Sequence, residues 1–221
     1  MLEFSTSARI VVRAATAALI AGLFSSACNR AAVRIPGASL SFPATPTHYV
    51  AQKTHPFNVD VAMPVDRRPE HYGEAVAGTR WKGCRTDPFW ASDAPSVIRD
   101  RIVTELAQAK LFNAVSQGPP APGTVVIRSE IDAFCSQAVG FLFLRVAGIS
   151  ALKITVERDG QVLFERRFER VVTDADPHYT GWQVTFIEQA MQVTMADSLR
   201  ELLRDLFAQL DREAGTWSGA G

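Results

Sequence analysis

The chain is poor in the features that announce a chemistry. It has three cysteines and four histidines in 221 residues, and none of His48, His55, His71 and His178 pairs with another ligand at metal-binding spacing. A Gly-rich phosphate loop and a serine elbow of the G-x-S-x-G kind are both missing. Asp174, Asp176 and His178 share the segment TDADPHYTGW, which reads as a solvated turn more readily than as a cation site. Charge of one sign is missing too: 23 basic residues meet 23 acidic ones. A nucleic-acid binder normally shows a basic surplus or stripe, so that class is set aside. The composition predicts no enzyme, no cofactor and no metal.

A long apolar run is also absent. Ala14 to Phe24 is uncharged and apolar, but a membrane-spanning helix needs about 20 such residues. Arg9 and Arg13 precede the run, and Ser25, Ser26, Ala27 and Cys28 follow it. That order is a charged leader, a short apolar core and small residues at a cut site, as in a signal peptide. The alternative is an amphipathic first helix of a cytosolic domain, and the run lacks the polar spacing such a helix needs. Residues 29–54 mix Pro36, Pro43 and Pro46 with Ala, Ser and Thr and hold no sustained period, so they read as an extended tether. The expected division is a signal peptide over 1–27, a tether over 28–54, one domain over 55–212 and a flexible tail over 213–221.

Within that domain, periodicity predicts α+β order. Phe57, Val59, Val61, Met63 and Val65 alternate as a strand does, and Pro64 places that strand at an edge or ends it. A long loop follows from Asp66 to Ala94. Ile98, Ile102, Leu106 and Ala109 recur at helical spacing after Asp93 and Pro95, which suit a helix start, and AKLFNAV reads as the end of this helix. Three further strands are expected over Val125–Phe134, Phe141–Val156 and Val162–Val172, with a bend or bulge at Gly148 and a tight turn at Asp159-Gly160. A long helix over Gln183–Leu210 closes the order. The fold class is therefore an antiparallel sheet of about four strands (strand, helix, three-strand meander, helix) with both helices packed on one face.

Two groups of residues are candidates for function. Arg67, Arg68, Tyr72, Arg80, Trp81, Arg85 and Trp90 crowd the long loop, and aromatics with arginine are enriched on recognition surfaces. The same residues also suit an irregular cover over the sheet. Cys84 and Cys135 remain as an even pair if Cys28 is used elsewhere, and in an oxidising compartment they could form a disulfide. Two separate buried thiols are the other possibility.

FSSAC resembles the lipobox of bacterial lipoproteins, with Ser25 standing where a leucine is usual. The resemblance implies that Cys28 is acylated and becomes the mature N-terminus; ordinary signal-peptidase cleavage would need the same small residues. AKLFNAV, TVVIRSEIDAF and KITVERDGQVLFERRF before a Leu-rich helix resemble small Gram-negative lipoproteins of the YajG-like and ABC-type transport auxiliary groups. These groups imply a periplasm-facing α+β domain on a lipid anchor, an accessory to an envelope complex. Asn29, where inner-membrane lipoproteins carry Asp, would by the same rule favour the outer membrane. A second class of function is a carrier of a lipid or other apolar ligand between helices and sheet, suggested by the apolar run FLFLRVAG.

Overall fold

The computed structural model describes residues 46–68, 94–139, 145–173 and 184–217. Among the described residues six strands and two helices follow in order: β1 (His55–Val61), β2 (Val65–Asp66), α1 (Ala94–Ala109), β3 (Phe112–Ser116), β4 (Val125–Val139), β5 (Arg145–Arg158), β6 (Gln161–Thr173) and α2 (Val184–Ala214). They form one mixed sheet in the order β3-β1-β4-β5-β6, with β2 beside β4. The β4-β5-β6 meander is antiparallel, as its alternation predicts. The other half is not: β1 runs parallel to both β3 and β4, and β2 runs parallel to β4. The expected four-stranded antiparallel sheet is thus corrected to six strands of mixed sense.

The strand missing from the sequence reading is β3. FNAVS continues the helical spacing of Leu106 and Ala109, so sequence assigns it to the helix. The backbone separates them at Lys110, whose φ of 53° is left-handed and ends a right-handed helix as a glycine commonly does. Ile98, Ile102, Leu106 and Ala109 are all buried, as their spacing requires. Parallel strands need a crossover, and α1 lies in the connection from β1 to β3.

Pro64 interrupts rather than borders. β1 ends at Val61 with an interior place between β3 and β4, and the chain resumes pairing at Val65 opposite Glu130. Residues 62–64 oppose only 128 and 129, one residue in excess, so a bulge absorbs a proline that has no N–H to donate. Ala62 N–H and Arg67 N–H bond to the Ile127 and Ile131 carbonyls on either side of it. Met63, within the bulge, and Val65, just past it, are half exposed.

A second irregularity sits in β4, where Ile131 pairs with Leu152 and Ala133 pairs with Ala151. The extra residue, Asp132, reverses which side chains face the helices. Before it Val125, Ile127 and Ile131 are buried; after it Phe134 and Ser136 lie opposite Ser150 and Gly148. The expected bulge at Gly148 is absent, since its register runs unbroken to Ser136 and Val172. The glycine is there for close approach. A Cβ on it would lie 2.2 Å from the Thr194 carbonyl carbon and 2.4 Å from the Met195 nitrogen, so α2 rests its backbone on β5 at this point. Hydroxyls flank the contact: Ser150 and Ser198 are 2.8 Å apart and Ser136 and Thr194 3.2 Å.

Along α2, Met195, Leu199, Leu202, Leu206 and Leu210 form a buried stripe at helical spacing, widened by Leu203 and Phe207. With the α1 stripe and the inward residues of β1, β4 and β5 they make one core. The tail read as flexible is partly structured. Trp217 is 3% exposed and packs on Phe57 and Phe112, with ring centroids 5.7 and 6.2 Å away. Gly160 and Asp159, with φ of 80° and 50°, make the predicted two-residue hairpin turn.

Candidate functional site

Most of the sequence-predicted site residues lie outside the described residues: Cys28, Tyr72, Arg80, Trp81, Cys84, Arg85 and Trp90, together with Asp174, Asp176, His178 and the FLFL of the apolar run. Arg67 is exposed and reaches Glu130 at 3.8 Å. The Arg68 side chain is fully buried; it donates from Nε and Nη2 to the two carboxylate oxygens of Asp66 at 2.9 and 2.8 Å, and Nη1 reaches the Phe134 carbonyl at 3.4 Å. A bidentate pair of this kind holds a strand end in place. Cys135 is buried on β4 and is disulfide-bonded, with its other half outside the described residues.

The densest polar constellation is one that the sequence did not single out. Asp211, on the last turns of α2, accepts from the Tyr49 hydroxyl at 2.9 Å and from the Gln52 N–H at 3.0 Å, and its other oxygen lies 2.9 Å from His55 Nε2. His55 is 2% exposed and Asp211 9%. Burial by itself would raise the Asp211 carboxyl, but the N–H of Gln52, the His55 ring and the Tyr49 hydroxyl together outweigh it and hold it below the ordinary carboxylate range. The Tyr49 phenol is pushed up from 10.0 to about 12, first by burial and then by its bond to the Asp211 carboxylate.

A second buried carboxylate does similar work on α1. Glu105 accepts from the Thr47 N–H at 2.8 Å and is ion-paired with Arg101 one turn earlier. Ala51 N–H bonds to the Ala109 carbonyl and Thr54 Oγ1 to that of Lys110. Residues 46–54, read from sequence as the end of the tether, are therefore a strap bound across both helices. Between strap and α1 lies an open groove of about 440 Å³ lined by Pro46, Thr47, His48, Tyr49, Val50, Glu105 and Gln108. Its one buried carboxylate is already engaged. Asp211 likewise spends its hydrogen bonds on Tyr49 and Gln52 of the strap and on His55 at the start of β1. Among the described residues no three His, Cys, Asp or Glu side chains are grouped to hold a metal ion.

The sheet carries a separate lattice of charge. Arg128 pairs with Glu157 at 2.9 Å, Lys153 with Glu165 at 3.1 Å and Arg167 with Asp132 at 3.0 Å. The bond from Lys153, and then that from Thr155, holds Glu165 below its usual range. In each of these pairs the partners lie on neighbouring strands or two strands apart.

No family model and no curated protein matches the chain. Solved structures do resemble it. A protein from Xanthomonas campestris assigned to the family-model DUF330 superposes with a TM-score of 0.53 at 16% identity, over 81% of this chain and 96% of that one. PelC from Paraburkholderia phytofirmans, crystallised as a dodecamer, gives 0.42 at 10% identity over 75% and 93%. A minor lipoprotein from Acinetobacter baumannii gives 0.40 at 8% identity over 68% and 91%. Among the described residues no helix is long and apolar enough to cross a membrane. What the likeness to the Xanthomonas protein shows is a shared fold.

Proposed function

We propose that the protein is a lipid-anchored, periplasm-facing lipoprotein without enzymatic activity, an accessory that scaffolds an envelope complex. The observation that carries this reading is the order at the N-terminus: Arg9 and Arg13, the apolar run Ala14–Phe24, small residues, then Cys28. What the structure adds is that Glu105 on α1 and Asp211 on α2, both buried, hold Thr47, Tyr49 and Gln52 of the strap, which suits a domain loaded through its N-terminal lead. With Cys28 taken by the anchor, Cys84 is the remaining partner for Cys135. Outer-membrane placement and a transport role belong to the same proposal. The carrier reading finds less support, because α2 sits on Gly148 with no room for a ligand at that contact.

The test is processing. Cells making the full chain or its Cys28→Ala variant are treated with globomycin, which blocks the lipoprotein signal peptidase, and labelled with palmitate. An uncleaved precursor that accumulates, and a label that incorporates, only when Cys28 is present is the expected result. Maturation indifferent to the drug would remove the anchor from the proposal.

A further inference from the structure

The side of the sheet turned away from α2 carries two surfaces of different character. Ser150 bonds to Ser198 and Ser136 to Thr194, so these positions face α2, and alternation turns Ala133, Cys135, Ile149 and Ala151 to the opposite side. There they make one apolar patch: Ala133 pairs with Ala151, and Cys135 pairs with Ile149, which pairs in turn with Val171 of β6. Further along the same side Lys153, Glu165 and Arg167 are half exposed. The patch is not. Ile149 and Ala151 are 0% exposed and Cys135 is 2% exposed, although α2 lies on the other side and α1 packs on β1, β2 and β3. Among the described residues no helix or strand lies over it.

We infer that this patch is the seat of residues 69–93 of the same chain, held there by a disulfide between Cys84 and Cys135. Cys135 is disulfide-bonded outside the described residues, and Cys84 lies within 69–93. The segment also starts at the patch. Arg68 Nη1 reaches the carbonyl of Phe134, the residue before Cys135, and Asp66, Arg68, Phe134 and Cys135 all have partners outside the described residues. Ten residues lead from Cys84 to Ala94 at the start of α1, a reach of about 33 Å, so both ends of the segment can be met. Tyr72, Val76, Trp81, Phe89 and Trp90 supply the apolar surface that a patch of alanine, isoleucine and valine needs against it. Residues 140–144 only close the β4-β5 hairpin at its far end. The inference rests on the proposed anchor in one respect, that Cys28 is not the partner of Cys135. It makes the arginine- and aromatic-rich stretch a third layer of the domain, a fixed support for any recognition carried by its residues.

The experiment has two parts, both on the full chain. Non-reducing digestion and mass spectrometry of wild type and of Cys28→Ala should find Cys84 joined to Cys135 within one molecule in both. A Cys28–Cys135 link in wild type overturns this pairing and the anchor together, and a free Cys84 overturns the pairing alone. The expected link in a chain whose maturation ignores globomycin leaves this inference standing without the anchor. Limited trypsin digestion then reads the docking at Arg80, Lys82 and Arg85. Ala151→Lys puts an ammonium group beneath the segment and should speed cutting at those sites at least about tenfold, while circular dichroism shows the sheet intact. Thr155→Lys, on the same strand and side but beyond the patch, should leave the rate unchanged. If Ala151→Lys does not fold, Ile149→Ala, which only trims the patch, carries the same comparison. Cutting that the folded patch variant does not speed, or that Thr155→Lys speeds as much, overturns the docking.

Discussion

Gly148→Ala adds one methyl at the closest approach of α2 to the sheet. The new carbon would stand 2.2 to 2.4 Å from the Thr194 carbonyl and the Met195 nitrogen, more than 1 Å inside ordinary contact, and these are backbone atoms that cannot rotate away. Relief requires the helix to lift. Lifting it stretches Ser136–Thr194 and Ser150–Ser198, at 3.2 and 2.8 Å. Overpacking of this kind costs about 1 to 3 kcal/mol, and the two hydrogen bonds are worth about 1 kcal/mol each, so the expected loss is about 3 to 5 kcal/mol. Gly118→Ala is the internal control. Nothing lies within 4 Å of its Cβ position, and with the unfolded chain restricted it should be neutral or stabilising by up to about 1 kcal/mol. Urea unfolding followed by tryptophan fluorescence measures both. A Gly148→Ala midpoint equal to wild type would refute the close-approach argument, because no flexible side chain is available to give way.

Three further predictions concern the polar interior and the C-terminus. Asp211→Asn should lower stability at neutral pH by about 3 kcal/mol, since a buried charged acceptor is lost with three donors around it. The carboxyl lies below its usual 3.8 when folded, so its contribution is full above that value and disappears as pH falls through the lower one; acid unfolding curves of the variant should be correspondingly flatter. Tyr49 ionises near 12 rather than 10, a contribution present below pH 10 and lost as pH rises toward 12. An ultraviolet titration should show a late tyrosinate step that Tyr49→Phe abolishes, and a single step near 10 would contradict the buried hydrogen bond. Trp217→Ala should cost about 3 kcal/mol in urea unfolding, as expected for a buried aromatic, whereas a truly frayed tail would make it silent.

The antiparallel half of the fold was legible because its signals are local. Asp159-Gly160 names its own turn, and β5 and β6 alternate on either side of it. The α1 stripe was legible for the same reason. The parallel half was not, because parallel pairing leaves no turn to read and β3 is too short for its alternation to be told from the end of a helix. Arg68 shows a different limit. Arginine beside arginine in a polar stretch reads as surface, and only the fold brings the Phe134 carbonyl to it. Asp211 is the clearest case: on an amphipathic helix an aspartate looks solvated, and the donors that make it an interior residue are 156 to 162 positions away in sequence. Trp217 sat in a Gly- and Ser-rich ending whose composition outweighed one large aromatic.

A net charge of zero can arise from opposite fields that cancel at a distance or from charges matched in place, and the consequences differ. On the described part of the sheet, charges are matched in place. Arg128 with Glu157, Lys153 with Glu165 and Arg167 with Asp132 neutralise one another within hydrogen-bonding distance, while Asp211 and Glu105 are engaged inside. Long-range steering scales with unmatched charge, so these elements have little with which to draw a polyanion or an acidic surface from a distance. Recognition by these elements therefore has to come from short-range features.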